Sequence, residues 1–390
     1  MSRPILLAAS NDKKENLAGA IKKQYNTTLA RNDRRPEVGL WPGKHTFTNF
    51  YKANLLINGA PLITYSAADS LINTDSDIVT VGNEESHAII KSMKNYFELN
   101  KHRRFKYAPP TNKMSETIEA TVNELDMSRG EHFVFQAADA PFNNASWYAK
   151  LSVSQVYHVV AYLPSKQAIH QNPNNPSAQT INRVYQLPVR FNGEEHDCKE
   201  PNTWIVSNHQ PLITNLDSFY DARKGTKTKL GTATKFFWNT LKAHPTKLPA
   251  MTRALSKAIR IGIETKRDGE IPHIPVEELQ AAMYEVFDTR VAIRVAPGTI
   301  AEVFDVDSLD DYVLAPQLLQ THGHRHADAI ENWKLDELPK LQEQHPHLRP
   351  ANQEAMINDY LTTHGFKPLF LPSQPAGNSH HKKPQHQAEF

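Results

Sequence analysis

Six short apolar, β-rich runs, several of them followed by segments of helical periodicity, constrain the fold more than any other feature of the chain. They lie at residues 5–9, 78–81, 132–136, 156–162, 204–207 and 291–295. Strands that alternate with helices join most simply as parallel neighbours, because the helix supplies the crossover between them. The expected class is therefore α/β, with a mostly parallel central sheet flanked by helices. Periodicity predicts helices over 61–71, 87–100, 115–123, 233–243, 249–264 and 276–287. Residues 164–201, rich in Pro, Asn and Gln, read as an inserted loop or β-excursion. Beyond residue 314 the pattern changes to short polar helices broken by His and Pro. The expected organisation is an α/β domain over 1–314 with 164–201 inserted, a helical extension over 315–370, and a disordered tail over 371–390, where apolar content is too low to offset the entropy of ordering.

Charge and cysteine content narrow the setting. The 390 residues carry 44 basic and 42 acidic side chains, a net charge of +2, which gives no electrostatic reason to expect a nucleic-acid partner. A single cysteine, Cys198, excludes an internal disulfide framework and a cysteine-rich zinc site, and fits a reducing compartment. No apolar segment is long enough to span a bilayer, and the first ten residues are too short an apolar run for a signal peptide. A cytoplasmic protein without a membrane partner is expected. The sequence carries no signal for an oligomeric state.

Two places in this pattern invite chemistry. The run at 132–136 ends in Ala137-Ala138-Asp139-Ala140-Pro141. Ligands of open parallel sheets bind beyond the carboxyl ends of the strands, so Asp139 is placed to meet a ligand or a metal; capping a helix or turn before Pro is the other reading. Far downstream, Asp305-Val306-Asp307 puts two carboxylates on one side of an extended segment, and Ser308 with Asp311 makes a capping-box-like start for a helix. One of these acids sharing a metal with Asp139 would suit Mg²⁺, which takes one or two carboxylates plus phosphate oxygens. Taken alone, the segment also reads as a solvated acidic turn. Between these, Lys52 precedes an apolar run that stops at Asn58-Gly59, a strong hairpin signal, and resumes at Pro61, which suits a helix start.

Together these pieces resemble the MobA-like nucleotidyltransferases, a family with a GT-A-type α/β fold. That family runs from a Gly-rich first loop through a Pro-Lys-x-Leu-Leu segment with a turn leading into Pro-Leu-Ile, a Val-Val-x-Gly strand end and a Gly-Asp-x-Pro carboxylate to a late Asp-Val-Asp. This chain shows Lys52-Ala53-Asn54-Leu55-Leu56-Ile57-Asn58-Gly59-Ala60-Pro61-Leu62-Ile63, Ile78-Val79-Thr80-Val81-Gly82, Ala138-Asp139-Ala140-Pro141 and Asp305-Val306-Asp307 in the same order. The resemblance spans about residues 4–314. It implies Mg²⁺-dependent transfer of a nucleoside monophosphate from an NTP to a small phosphorylated acceptor, with release of pyrophosphate. Lys52 and Asp139 would be catalytic, Lys52 meeting nucleotide phosphates; Asp139 and Asp307 would hold the metal, with Asp305 as a further acid. Ala8, Ala9, Ser10, Asn11, Lys13, Lys14 and Gly82 would surround the nucleotide. Glu200 and Asn202, in Glu200-Pro201-Asn202, resemble acceptor-side residues of sugar-nucleotide enzymes, against the reading of an ordinary loop entering a strand.

The chain departs from the family at the first loop. Glycines belong there because close backbone approach to phosphate and positive φ favour residues without Cβ. This loop reads Leu7-Ala8-Ala9-Ser10-Asn11-Asp12-Lys13-Lys14, with no glycine and no arginine. Ser10 and Asn11 offer donors, and Lys13 or Lys14 offers a charge in place of the arginine. Two other functions therefore stand beside nucleotidyl transfer. One is a nucleotide-sugar-dependent glycosyltransferase, which usually carries Asp-x-Asp where this chain has one acid. The other is a non-catalytic relative that keeps the fold as a binding or scaffold protein. The histidines of His322-Gly323-His324-Arg325-His326 read either as transition-metal ligands or as adventitious binders.

Overall fold

The computed structural model describes residues 3–9, 52–97, 104–111, 113–166, 187–199, 201–224, 245–253, 273–296, 304–306 and 309–363, together with 256, 257, 260, 368 and 370. In chain order the described elements begin with β1 (Ile5–Ala8), a 3-10 turn (Lys52–Asn54), β2 (Leu56–Ile57), β3 (Ala60–Pro61), α1 (Leu62–Asn73), β4 (Ile78–Val81), α2 (Glu84–Tyr96), β5 (Phe105–Ala108), α3 (Met114–Leu125) and β6 (His132–Ala137). They continue with α4 (Ala145–Lys150), β7 (Val159–Pro164), β8 (Leu187–Phe191), β9 (Glu194–Cys198), β10 (Thr203–Ser207), α5 (Gln210–Lys224), β11 (Ile274–Pro275), α6 (Val276–Phe287) and β12 (Val291–Ala296). Four helices follow: α7 (Leu309–His322), α8 (Ala327–Asp336), α9 (Leu338–Gln344) and α10 (Pro350–Thr363), with a 3-10 turn (Pro346–Leu348) before the last.

Seven strands form the central sheet in the order β12-β7-β10-β6-β1-β4-β5. All neighbours are parallel except β10, which runs antiparallel to both β6 and β7. This is the expected α/β class, a mostly parallel sheet flanked by helices. Alternation along each strand assigns the two faces. Ile5, Leu7, Ile78 and Val134 join one buried cluster with α1 and the C-terminal helices, while Leu6, Val79, Val81 and Phe133 join the other with α3, α5 and α6.

The extension expected after residue 314 packs into the first of these clusters. Ala315, Leu318, Ile330, Trp333, Leu338, Leu348 and Ile357 are buried there beside residues of β1 and β6, and residue 314 itself lies within α7. Within 164–201, β8 and β9 form a hairpin that pairs with β11 in a separate three-stranded sheet. The helix expected over 87–100 starts earlier, at Glu84, because the Asn83 side chain accepts the Ser86 N–H at 2.9 Å and two acids, Glu84 and Glu85, occupy the first turn. The strand expected over 156–162 is shifted to Val159–Pro164. Strand β5 and helices α4 and α5 were not expected from periodicity. The helix expected over 233–243, most of that over 249–264, and the tail 371–390 lie outside the described residues. Among the described residues no helix is long and apolar enough to cross a membrane.

Candidate functional site

The carboxyl ends of β1, β4 and β6 meet at one level. Ala8 lies opposite Val81 on one side and Ala137 on the other, and the ladder continues one step further through the Ala9 N–H to Val81 (2.8 Å) and the Ala138 N–H to the Ala8 carbonyl (3.0 Å). Gly82 sits in a crowded place at this level: a Cβ there would stand 3.0 Å from the Ala9 Cβ and 3.2 Å from that of Ser86, so a larger residue would need its neighbours to give by a few tenths of an ångström. Ala8, Ala9 and Gly82 thus line one edge together. Ser10, Asn11, Lys13 and Lys14 lie outside the described residues.

Asp139 begins the turn beyond β6, and the backbone around it is fixed from α1. The Ser66 hydroxyl bonds the carbonyls of Ala138 (2.8 Å) and Ala140 (3.0 Å), and the buried Gln136 amide reaches the Ser66 carbonyl while accepting from Ser70 at 2.8 Å. Helix α4 is capped by Asn144, and the Asp139 carboxylate instead forms an ion pair with the Lys52 ammonium.

Lys52 opens the 3-10 turn ahead of the hairpin β2–β3. Asn58 (φ 51°) and Gly59 (φ 77°) both take the left-handed conformation that a two-residue hairpin turn needs, and Pro61 then precedes α1. Both expectations for this stretch, a hairpin and a helix start at the proline, are met in succession.

The late acidic segment comes to the same place. The Val306 N–H donates to the Asp139 carbonyl at 3.1 Å. Phe304 and Val306 are fully buried, while the intervening Asp305 is only partly so. Its carboxylate is bound by Lys199 at 2.8 Å. Lys199 follows β9 directly, and its N–H donates to the Pro164 carbonyl (3.0 Å), so the inserted hairpin delivers a second lysine to the site. The Lys52, Asp139, Lys199 and Asp305 side chains are each 15–21% exposed, dry enough for strong electrostatics yet open to a ligand. Asp307 and Glu200 lie outside the described residues.

Asn202 stands across the strand end. Its carbonyl accepts the Ala137 N–H at 3.0 Å, while its buried side-chain Nδ2 has no partner among the described residues. Cys198, the residue before Lys199, is fully buried, and burial, then Asp197, pushes its thiol up to about 12, which disfavours the reactive thiolate.

For Mg²⁺ the donor chemistry fits. Asp139 and Asp305 are hard oxygen donors on adjoining segments, and no cluster of three or more His, Cys, Asp or Glu among the described residues is arranged to hold a metal alone. Such a pair suits a cation that completes its shell with water and phosphate.

His324 and His326, considered above as metal ligands, are engaged otherwise. His324 Nε2 lies 3.1 Å from the carbonyls of both Tyr65 and Pro141, and its Nδ1 accepts the His326 N–H at 3.2 Å, which defines a neutral ring. Burial, reinforced by His326, lowers it to about 4. The buried Asp69 beside them bonds the Ser146 N–H, Asn73, Arg325 and His326. Burial alone would raise its carboxyl; the hydrogen bonds from His326, Ser146 and Asn73 hold it well below the usual carboxylate range.

Sequence reasoning missed Lys199 and Ser66. Lys199 carried a weak signal, its place next to Glu200-Pro201; Ser66 acts through contacts that periodicity does not reveal.

No family model matches the sequence, and comparison with curated proteins finds no match. Solved structures similar to the chain include a hypothetical transferase from Thermus thermophilus, at 13% identity and a TM-score of 0.42, covering 80% of this chain and 99% of that one. A nucleoside-diphosphate-sugar pyrophosphorylase from Vibrio cholerae RC9 gives 8% identity and 0.37, covering 80% of this chain and 100% of that one. An inositol-1-phosphate CTP transferase from T. maritima gives 8% and 0.37, covering 82% and 97%.

Proposed function

We propose that the chain is a nucleotidyltransferase similar to the MobA-like group, moving a nucleoside monophosphate from an NTP to a small phosphorylated acceptor. The observation that supports this most is the bond from Val306 to Asp139, which sets the pairs Lys52–Asp139 and Lys199–Asp305 on adjoining segments beyond β1, β4 and β6. In the reaction an acceptor phosphate oxygen attacks the α-phosphorus, the bond to the bridging oxygen breaks, and pyrophosphate leaves with the electron pair. Negative charge grows on the α-phosphate oxygens, where the fixed ammonium of Lys52 stabilises it. Lys199, arriving on the inserted hairpin, offers charge to the acceptor phosphate, and the Asn202 amide offers a donor on the same side. In the free protein each lysine is neutralised by its aspartate. Entering phosphates would take over the ammonium groups, leaving Asp139, with Asp307 or Asp305, to hold a Mg²⁺; when bound, that ion would supply positive charge to the reacting phosphates.

The test is pyrophosphate release with each of the four NTPs and a panel of phosphorylated sugars and alditols, with and without Mg²⁺. Release that needs nucleotide, acceptor and metal together is expected. Transfer from a nucleotide-sugar with no pyrophosphate would make the protein a glycosyltransferase, and absence of any nucleotide binding would leave a non-catalytic relative.

A further inference from the structure

Lys52 has a long flexible side chain, and its position depends on how firmly its short turn is held. The turn's own bond, Leu55 N–H to the Lys52 carbonyl, is 3.1 Å. Further restraint comes from α10, far along the chain, and from the start of α2. Gln353, 2% exposed, donates from Nε2 to the Asn54 carbonyl (3.0 Å) and the His347 carbonyl (3.0 Å), and its Oε1 accepts the Leu56 N–H (2.9 Å). It therefore grips the chain on both sides of Leu55, two and four residues after Lys52. Asn54, fully buried, donates to Glu85 Oε2 (3.2 Å) and Asn83 Oδ1 (3.1 Å) and accepts from the Ser86 hydroxyl (2.8 Å). His347 Nδ1 meets Glu85 Oε1 at 3.0 Å. Gln353, Asn54, Glu85 and His347 thus form a closed ring joining the Lys52 turn, the start of α2 just beyond Gly82, and the corner before α10.

We infer that Gln353 is a positioning residue for Lys52, which makes α10 a working part of the site rather than an appended helix. The inference rests on reading Lys52 as the phosphate-binding lysine. A buried amide with both donors and its acceptor satisfied fixes backbone geometry, and a displacement of about 1 Å in a charged group costs on the order of 100-fold in rate.

The test uses the full-length protein without ligand. Rates of acylation of individual lysines by an amine-reactive reagent are followed by mass spectrometry, and amide exchange is followed at Leu56. Gln353→Met, nearly isosteric but without hydrogen-bonding groups, should raise the Lys52 rate several-fold and speed Leu56 exchange, with Lys199 unchanged. Gln353→Glu keeps the acceptor for Leu56 and loses the amide donor, so it should leave Leu56 protected while still raising the Lys52 rate. Ile357→Ala, which removes a buried packing residue from the same helix, should lower the melting temperature without changing the Lys52 rate. An unchanged Lys52 rate in the folded Gln353 variants, or an equal rise in Ile357→Ala, would overturn the inference. The nucleotide reading fails on a different result, absence of NTP binding by the unsubstituted protein, and the labelling rates decide the role of Gln353 either way.

Discussion

The two lysine–aspartate pairs of the site are alike in chemistry and opposite in how they are held. Lys52 and Asp139 sit on segments tied down by buried polar side chains: Asn54 and Gln353 behind the lysine, Ser66 and Gln136 behind the aspartate. Lys199 and Asp305 sit at the base of an inserted hairpin and on a short segment anchored by Phe304 and Val306. The contrast suggests a division of labour. Under the proposed function, the side held by buried polar groups would meet the part of the substrate common to all NTPs, and the side carried on the inserted hairpin would meet the part that distinguishes one acceptor from another.

The largest expected effect is at the rigid side. Asp139→Asn should lower turnover by about 100-fold or more, because it removes the carboxylate proposed to hold the metal and the negative charge paired with Lys52. A fold unchanged by circular dichroism, with activity no longer rising with Mg²⁺, would sharpen the comparison; an unchanged metal dependence would break it.

A pH scan probes the same side from below. His324 holds the carbonyls of Tyr65 and Pro141, the latter two residues past Asp139, and is lowered to about 4 by burial and His326. A histidine lowered in the folded state contributes stability that is complete above its unfolded value near 6.5 and declines as pH falls toward 4. Acidification through that window should cost at most about 3 kcal/mol from this ring. His158, at the opposite end of the sheet and also lowered to about 4 by burial and then His209, adds a smaller part. Thermal melts at pH 7.5, 6 and 5 should show the decline, and His324→Gln should flatten it in part. A flat profile for the unsubstituted protein would contradict the neutral, fully bonded ring.

Lys52→Ala should weaken NTP binding by about 1–3 kcal/mol, the range of a charge-assisted bond, in titrations with Mg²⁺ present. Lys199→Ala should have the smallest effect, about 1 kcal/mol, and should raise KM for the acceptor while leaving NTP affinity unchanged. Equal effects of both substitutions on NTP affinity would erase the division of labour.

The sequence made the central strands and the two ends of the rigid pair legible, for a physical reason. Buried parallel strands are written as runs of Ile, Val, Leu and Phe, and Asn58-Gly59 and Ala140-Pro141 punctuate the turns beside Lys52 and Asp139. The flanking elements were harder. Strand β9 is Glu194-Glu195-His196-Asp197-Cys198, with no apolar alternation, because it pairs in a small sheet largely open to solvent. Strand β5 is a short edge, and α4 has only six residues. The clamp was illegible altogether: Gln353 lies 299 residues from Asn54, and one glutamine on a polar helix looks like any other until the chain folds.

Isothermal titration of Mg²⁺-NTP into the unsubstituted protein and Asp139→Asn, each repeated without metal, tests the central claim most directly. The account predicts binding that requires Mg²⁺ in the first protein and is lost or made indifferent to metal in the second. Binding that is the same with and without Mg²⁺ in the unsubstituted protein, or no binding of any nucleotide, would contradict it.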